Sequence, residues 1–194
     1  MEFTKEQKKF ITDFVVEIKN GDAAIFAGAG LSASVGFVNW KELLKDFADE
    51  LDLDIEKEHD LIGVAQYYSN RYERGKINKR IINEFTTLKQ GSENHKLLSK
   101  IGISTFWPTN YVQLIEKTLE SDGKIVEKKI RNNDFSHNIK KKDAIVYKMH
   151  GDKDFPEEVV LFKDDYETNQ NKRELFATAL RGDLISTPFL FIGF

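Results

Sequence analysis

Three short polar stretches hold the groups in this sequence best suited to chemistry. The first is Gly28-Ala29-Gly30 with Ser32 after it, directly following the apolar run "AAIFA". Glycines at a strand-to-helix turn let the backbone approach a pyrophosphate, and the N–H groups of the next turn can face the anion. The third glycine of a GxGxxG pattern is replaced by Ala33, so by itself the stretch fits a phosphate cradle and a plain tight turn equally well. The second stretch, Thr109-Asn110, follows "ISTFWP". An asparagine there can orient water or a sugar oxygen without carrying charge, or simply cap the helix that follows. The third is His150-Gly151-Asp152, after "AIVYKM". Its imidazole can take a proton from a sugar hydroxyl near neutral pH, or serve as a hydrogen-bonded structural histidine.

Each stretch is expected at the carboxyl end of an apolar strand, where open α/β sheets bind their ligands. That convergence says more than any one motif. His59, His95 and His137 fall in polar or helical segments and are expected at the surface. The chain has no cysteine, which excludes disulfides, zinc ribbons and thiol catalysis. With no HxxxH-type spacing either, no metal site is expected.

The elements that must position these residues follow from periodicity. Thr4 and Gln7 form a capping box for a helix over 5–19, with Phe10, Ile11, Phe14, Val15 and Ile18 on one face. Further helices are expected from Trp40 to Leu51 behind an Asn39 cap, over 60–70 and 76–88, from Ser92 to Lys100, over "YVQLIEKTLES", and once or twice within 165–182. Strands are expected at "AAIFA", "ISTFWPTN", "KIVEKKI", "AIVYKM", "EEVVLF" and "PFLFIGF". Pro108 suits a strand end, where its missing N–H costs no ladder bond. Strands alternating with helices predict an α/β fold with a doubly wound, mostly parallel, Rossmann-like sheet.

The 194 residues suit one domain spanning 1–194, and 15 Phe argue for a packed interior. A net charge of -3 with interspersed signs argues against a nucleic-acid groove; Lys140-Lys141-Lys142 reads as a solvated loop. No run approaches the roughly 20 apolar residues of a membrane span, and the N-terminus lacks a signal-peptide layout, so a cytoplasmic protein is expected. The last strand stops at Phe194 without a polar cap, so the domain is expected to be C-terminally incomplete.

Taken together, "GAGLSASVG", Trp40, "PTNYVQLIE", "YKMHGD", "VLFKDDYE" and "LFIGF" resemble the sirtuin-like family of NAD-consuming enzymes. "AAIFAGAGLS", "AQYY", "ENHK" and "VYKMHGD" are similar in particular to the sirtuin-like domain of Thoeris anti-phage effectors, NAD hydrolases that deplete the cell's NAD. The resemblance implies NAD+ as substrate, with no separate cofactor. It implies a pyrophosphate and ribose pocket lined by Gly28, Ala29, Gly30 and Ser32, with Thr109 also binding NAD, and Asn110 and His150 as catalytic residues. Water would attack the oxocarbenium-like carbon as nicotinamide leaves. It further implies a homo-oligomer, and a C-terminal regulatory domain, missing here, that binds a cyclic ADP-ribose-type signal.

Departures from the family pattern bound that reading. The four-cysteine zinc ribbon of deacetylating sirtuins is absent, and "VGFVNWKEL" stands in place of their "xPDFR" run, so deacetylation is not implied. Pro108 replaces a threonine usual before "TNY". Val112 stands where the family has an aspartate that contacts the nicotinamide carboxamide. A second reading is therefore a catalytically impaired module that binds a nucleotide or mediates oligomerisation. A third, a nucleotide-binding oxidoreductase, has Asp46 or Asp49 near the roughly 20-residue offset of a ribose-binding acid but lacks the glycine fingerprint.

Overall fold

The computed structural model describes residues 2–72, 74–86 and 91–194. Five strands form one sheet in the order β3-β4-β2-β1-β5: β1 (Ala24–Ala27), β2 (Thr105–Pro108), β3 (Val126–Lys129), β4 (Ala144–Tyr147) and β5 (Phe189–Ile192). Every pairing is parallel. Among the described residues the expected mostly parallel sheet is thus parallel throughout; the crossovers after β1, β2 and β4 carry α-helices, and that from β3 to β4 carries a 3-10 turn over Asn132–Ser136.

Helix α1 (Lys5–Asn20) begins at the Thr4–Gln7 capping box and ends at Gly21, which adopts φ 81°. Its Phe14 and Ile18 pack on the sheet core, while Phe10, Ile11 and Val15 are exposed. After β1 come the single turn α2 (Gly30–Ala33), then α3 (Trp40–Glu50), α4 (Leu61–Arg71), α5 (Arg74–Thr86) and α6 (Glu93–Lys100). Asn39 caps α3 in a capping box with Glu42, as its position predicts. Residues 87 and 88, the expected end of α5, lie outside the described residues. Helix α7 (Leu114–Ser121) follows β2, and α8 (Lys163–Lys172) and α9 (Glu174–Ser186) precede β5.

Two apolar clusters result. One joins Ala23, Ile25, Phe106, Ala144 and Val146 of the sheet to Leu98, Ile115 and Leu119 of its covering helices. The other joins Leu43, Leu44, Phe47, Tyr68, Ile77, Ile81 and Phe85 of α3–α5 to Tyr111, Val112, Val159, Leu161 and Phe162. Among the described residues no helix is long and apolar enough to cross a membrane.

Two sequence expectations are corrected. "EEVVLF" is not a strand: a 3-10 turn spans Pro156–Glu158, and Val159 to Phe162 run on as buried chain without a strand partner. Groups distant in sequence satisfy its backbone instead, beginning with the His150 carbonyl, which accepts from the Val160 amide at 2.8 Å. Arg74 donates to Val159 O at 2.9 Å and the Tyr111 hydroxyl to Val160 O at 2.9 Å, while Asp165 accepts from the amides of Leu161 and Phe162. An apolar run reports burial, not ladder pairing. Nor is His95 at the surface. It is buried at 2 % exposure, with Nδ1 accepting from the Ser92 amide at 3.1 Å at the start of α6. His59 and His137 are exposed.

Candidate active site

The three polar stretches lie at the carboxyl ends of β1, β2 and β4, which are adjacent in the sheet. They meet at a cavity of about 260 Å³, near the lower bound of roughly 300 Å³ for small-molecule pockets. Its polar lining includes Ser32, Thr109, Asn110 and His150, with Ala29 beside them; Phe37, Trp40, Leu43 and Phe85 of the helical cluster line it as well, together with Val38, Asn39, Tyr111, Val112, Tyr166 and Phe194.

Gly28 and Gly30 do not line the cavity. Their amides donate to Ile192 O and Gly193 O, both at 2.8 Å, so the turn is tied to the end of β5. A Cβ on Gly30 would come within 2.8 Å of the Gly193 carbonyl oxygen, and one on Gly28 would run into the same atom more severely. Close backbone approach, rather than a left-handed conformation, therefore demands glycine at both positions. Ser32, one turn on, is 3 % exposed, and its Oγ accepts from Asn110 Nδ2 at 2.7 Å.

Thr109 continues the β2 ladder by one bond, its amide donating to Ala27 O at 2.8 Å. Its carbonyl lies 3.2 Å from His150 Nδ1. A carbonyl only accepts, so Nδ1 carries the hydrogen and the neutral ring presents an unprotonated Nε2. Burial depresses the His150 pKa; the Thr109 bond raises it in part, and the Arg173 charge lowers it further. Near neutral pH the ring is a neutral base. Its partner across the cavity is Tyr166, with ring centroids 6.0 Å apart in an edge-on arrangement. Val112 is buried at 3 % exposure and contributes only aliphatic surface to the lining.

Ser32, Thr109, Asn110 and His150 are thus brought to one cavity, and Gly28 and Gly30 stand behind it. Sequence reasoning assigned no site role to Tyr166, although it lies within "VLFKDDYE", nor to Phe37, Trp40 and Phe85. It also missed the buried groups behind the wall. Lys148 is fully buried, with Nζ 3.3 Å from Glu116 Oε1 and 3.4 Å from Asp152 Oδ2. The signal available was a lysine and an aspartate flanking the His150-Gly151 turn inside an apolar segment. Among the described residues no cluster of His, Asp and Glu could hold a metal ion.

The model of the SIR2-like domain matches residues 104–194. The chain is 49% identical to the NAD(+) hydrolase ThsA of Acinetobacter baumannii (strain 532279) over 193 residues, 99% of this chain and 40% of that protein. It is 50% identical to the NAD(+) hydrolase ThsA of Bacillus cereus (strain MSX-D12) over 187 residues, 95% of this chain and 39% of that one. With the protein of that name from Enterococcus faecium it shares 43% identity, over 97% of this chain and 40% of the relative. The chain therefore spans about 40% of the length of the curated relatives it matches. With near-half identity along almost every residue and a SIR2-like domain match over residues 104–194, the chain is similar to the SIR2-like domain and to these NAD(+) hydrolases.

Proposed function

We propose that this chain is the NAD+-hydrolysing domain of an anti-phage defence effector. The reaction breaks the bond between the nicotinamide nitrogen and ribose C1′. Nicotinamide leaves with the bonding pair, a water oxygen bonds to C1′, and the water's second proton is released, giving nicotinamide and ADP-ribose. Nicotinamide is a good leaving group, so the protein mainly has to place water and favour the developing positive charge. Asn110 orients the attacking water. Neutral His150, with Nε2 unprotonated, accepts a proton from that water or from a ribose hydroxyl. Thr109, Ala29 and Ser32 hold the ribose side of the dinucleotide, with the Gly28-Ala29-Gly30 turn toward the pyrophosphate. The observation that carries this reading is the meeting of Ser32, Asn110 and a neutral His150 in one cavity at the carboxyl end of a parallel sheet. NAD(+) hydrolase as the name of three relatives supports the same substrate.

In this reading the domain acts in the cytoplasm, within a homo-oligomer, and depletes NAD once a separate segment binds a cyclic ADP-ribose-type signal. The greater length of the relatives leaves room for such a segment.

Val112 favours a second reading, a nucleotide-binding module with impaired turnover. An aliphatic side chain in the cavity wall offers no hydrogen bond to a carboxamide. One experiment separates the two: nicotinamide release from NAD+ by this chain, by His150→Ala and by Val112→Asp. Turnover by the parent chain that falls roughly 10²- to 10⁴-fold in His150→Ala, with the fold retained, supports the hydrolase. Turnover only in Val112→Asp supports the impaired module. Equal turnover in the parent chain and His150→Ala would overturn the residue roles.

A further inference from the structure

The loops carrying Asn110 and His150 are bonded to each other along their length. The Lys153 amide donates to Tyr111 O at 3.0 Å, Gln113 Nε2 to Asp152 Oδ1 at 2.7 Å, and His150 Nδ1 to Thr109 O. Beneath them, Lys148 Nζ donates to Val112 O at 2.6 Å. Lys148 is at the end of β4, two residues before His150. Val112 is two residues after Asn110. This one buried bond therefore spans the bases of both loops.

Its setting is costly. Glu116 and Asp152 are buried with Lys148, at 1 % and 0 % exposure. Both Glu116 oxygens and Asp152 Oδ2 lack a hydrogen-bond partner of good geometry, so the ammonium is their chief compensation. Burial raises the Glu116 pKa against the pull of Lys148. Replacing such a group by apolar side chains of similar volume is often neutral or stabilising, so stability alone is a poor reason for its presence. The carbonyl of Lys148 is pinned as well: Arg173, itself buried, donates to it at 3.1 Å and to Ile130 O at 2.9 Å. Both ends of Lys148 are thus anchored from different elements.

We infer that Lys148 is a positioning residue, whose ammonium clamps the 109–113 loop to the 148–155 loop and so sets the spacing of Asn110 and His150. Small misplacements of reacting groups are expensive, about 100-fold for roughly 1 Å. The consequence for turnover rests on the hydrolase reading; the consequence for the His150 ring does not.

The test uses Lys148→Met combined with Glu116→Leu. Lys148→Met alone leaves two carboxylates buried without a cation, whereas the double variant removes most of that burden. Imidazole nitrogen NMR of the parent chain should show His150 as the neutral Nδ1–H tautomer, with the signal identified by its loss in His150→Ala. The double variant should unfold cooperatively, yet show His150 shifted toward the mixed tautomers of a free imidazole. NAD+ turnover should fall roughly 10- to 100-fold, with KM within about two-fold of the parent value. A folded double variant with unchanged tautomer and turnover would overturn the proposal. So would a double variant that does not fold, which assigns Lys148 to stability. If the parent chain releases no nicotinamide but the tautomer still shifts, the positioning role stands and the hydrolase reading falls.

Discussion

Two parts of the site are held in place by different physics. The glycine turn after β1 is fixed by steric fit, with the Gly28 and Gly30 amides bonded to the end of β5 and no room there for a Cβ. Beside it, the loops after β2 and β4 are fixed by polar side chains reaching from one to the other, above a fully buried lysine. The first arrangement tolerates changes of pH but no added atom. The second tolerates small changes of shape but depends on charge and protonation. A short side-chain bond, Asn110 Nδ2 to Ser32 Oγ, joins the two.

The comparison breaks most decisively at Gly28. Gly28→Ala places a methyl against the Gly193 carbonyl, where backbone must move, and should cost about 3 kcal/mol of stability, the upper end for overpacking. Denaturant unfolding measures it; a loss below about 1 kcal/mol would mean that the β5 end yields easily and the turn is not sterically fixed.

Removing the bond between the two parts should do less. Ser32→Ala leaves Asn110 Nδ2 without its partner and should lower NAD+ turnover about five-fold, matching a net hydrogen bond of roughly 1 kcal/mol. Stability should fall by about 1 kcal/mol as well. Turnover equal to that of the parent chain would show that Asn110 is held from its own loop alone.

The gentlest probe is acid. His150 and His95 both have pKa values held below the ordinary 6.5, in each case chiefly by burial. Unfolded, they bind protons near 6.5, so the unfolded state takes up more protons as the pH falls past that value. Their contribution to stability is therefore complete above pH 6.5 and lost as the pH drops toward the folded-state values. Melting temperatures measured from pH 7.5 to 5 should decline, and His150→Ala should flatten part of that slope. Gly28→Ala should lower the whole curve without changing its acid limb. An acid slope identical in the parent chain and His150→Ala would show that the His150 ring is not desolvated.

Much of this was legible along the chain. The Thr4–Gln7 and Asn39–Glu42 boxes mark helix starts with residues only three apart. β1, β2 and β4 show as short apolar runs, each followed by a polar turn, and those turns do converge on one cavity. Local rules failed where satisfaction came from afar. Val159 to Phe162 are as apolar as a strand, but Arg74, Tyr111 and Asp165 serve their backbone, and none of these belongs to a neighbouring strand. His95 appears polar in sequence and is buried because its ring folds back on the Ser92 cap.

The sequence by itself marked the five strands of the sheet and the capped starts of α1 and α3, because periodicity and caps act within a few residues, and it placed Asn110 and His150 just after strand ends. Only the tertiary structure decided why Gly28 and Gly30 must be glycine, since the atom that excludes a side chain belongs to Gly193, more than 160 residues away along the chain. The same holds for Lys148. Within its segment it is one more lysine, and it becomes a buried clamp because α7 and the loop after β2 deliver Glu116 and the Val112 carbonyl to its ammonium. Burial and partnership are properties of packing between distant segments, and no local pattern records them.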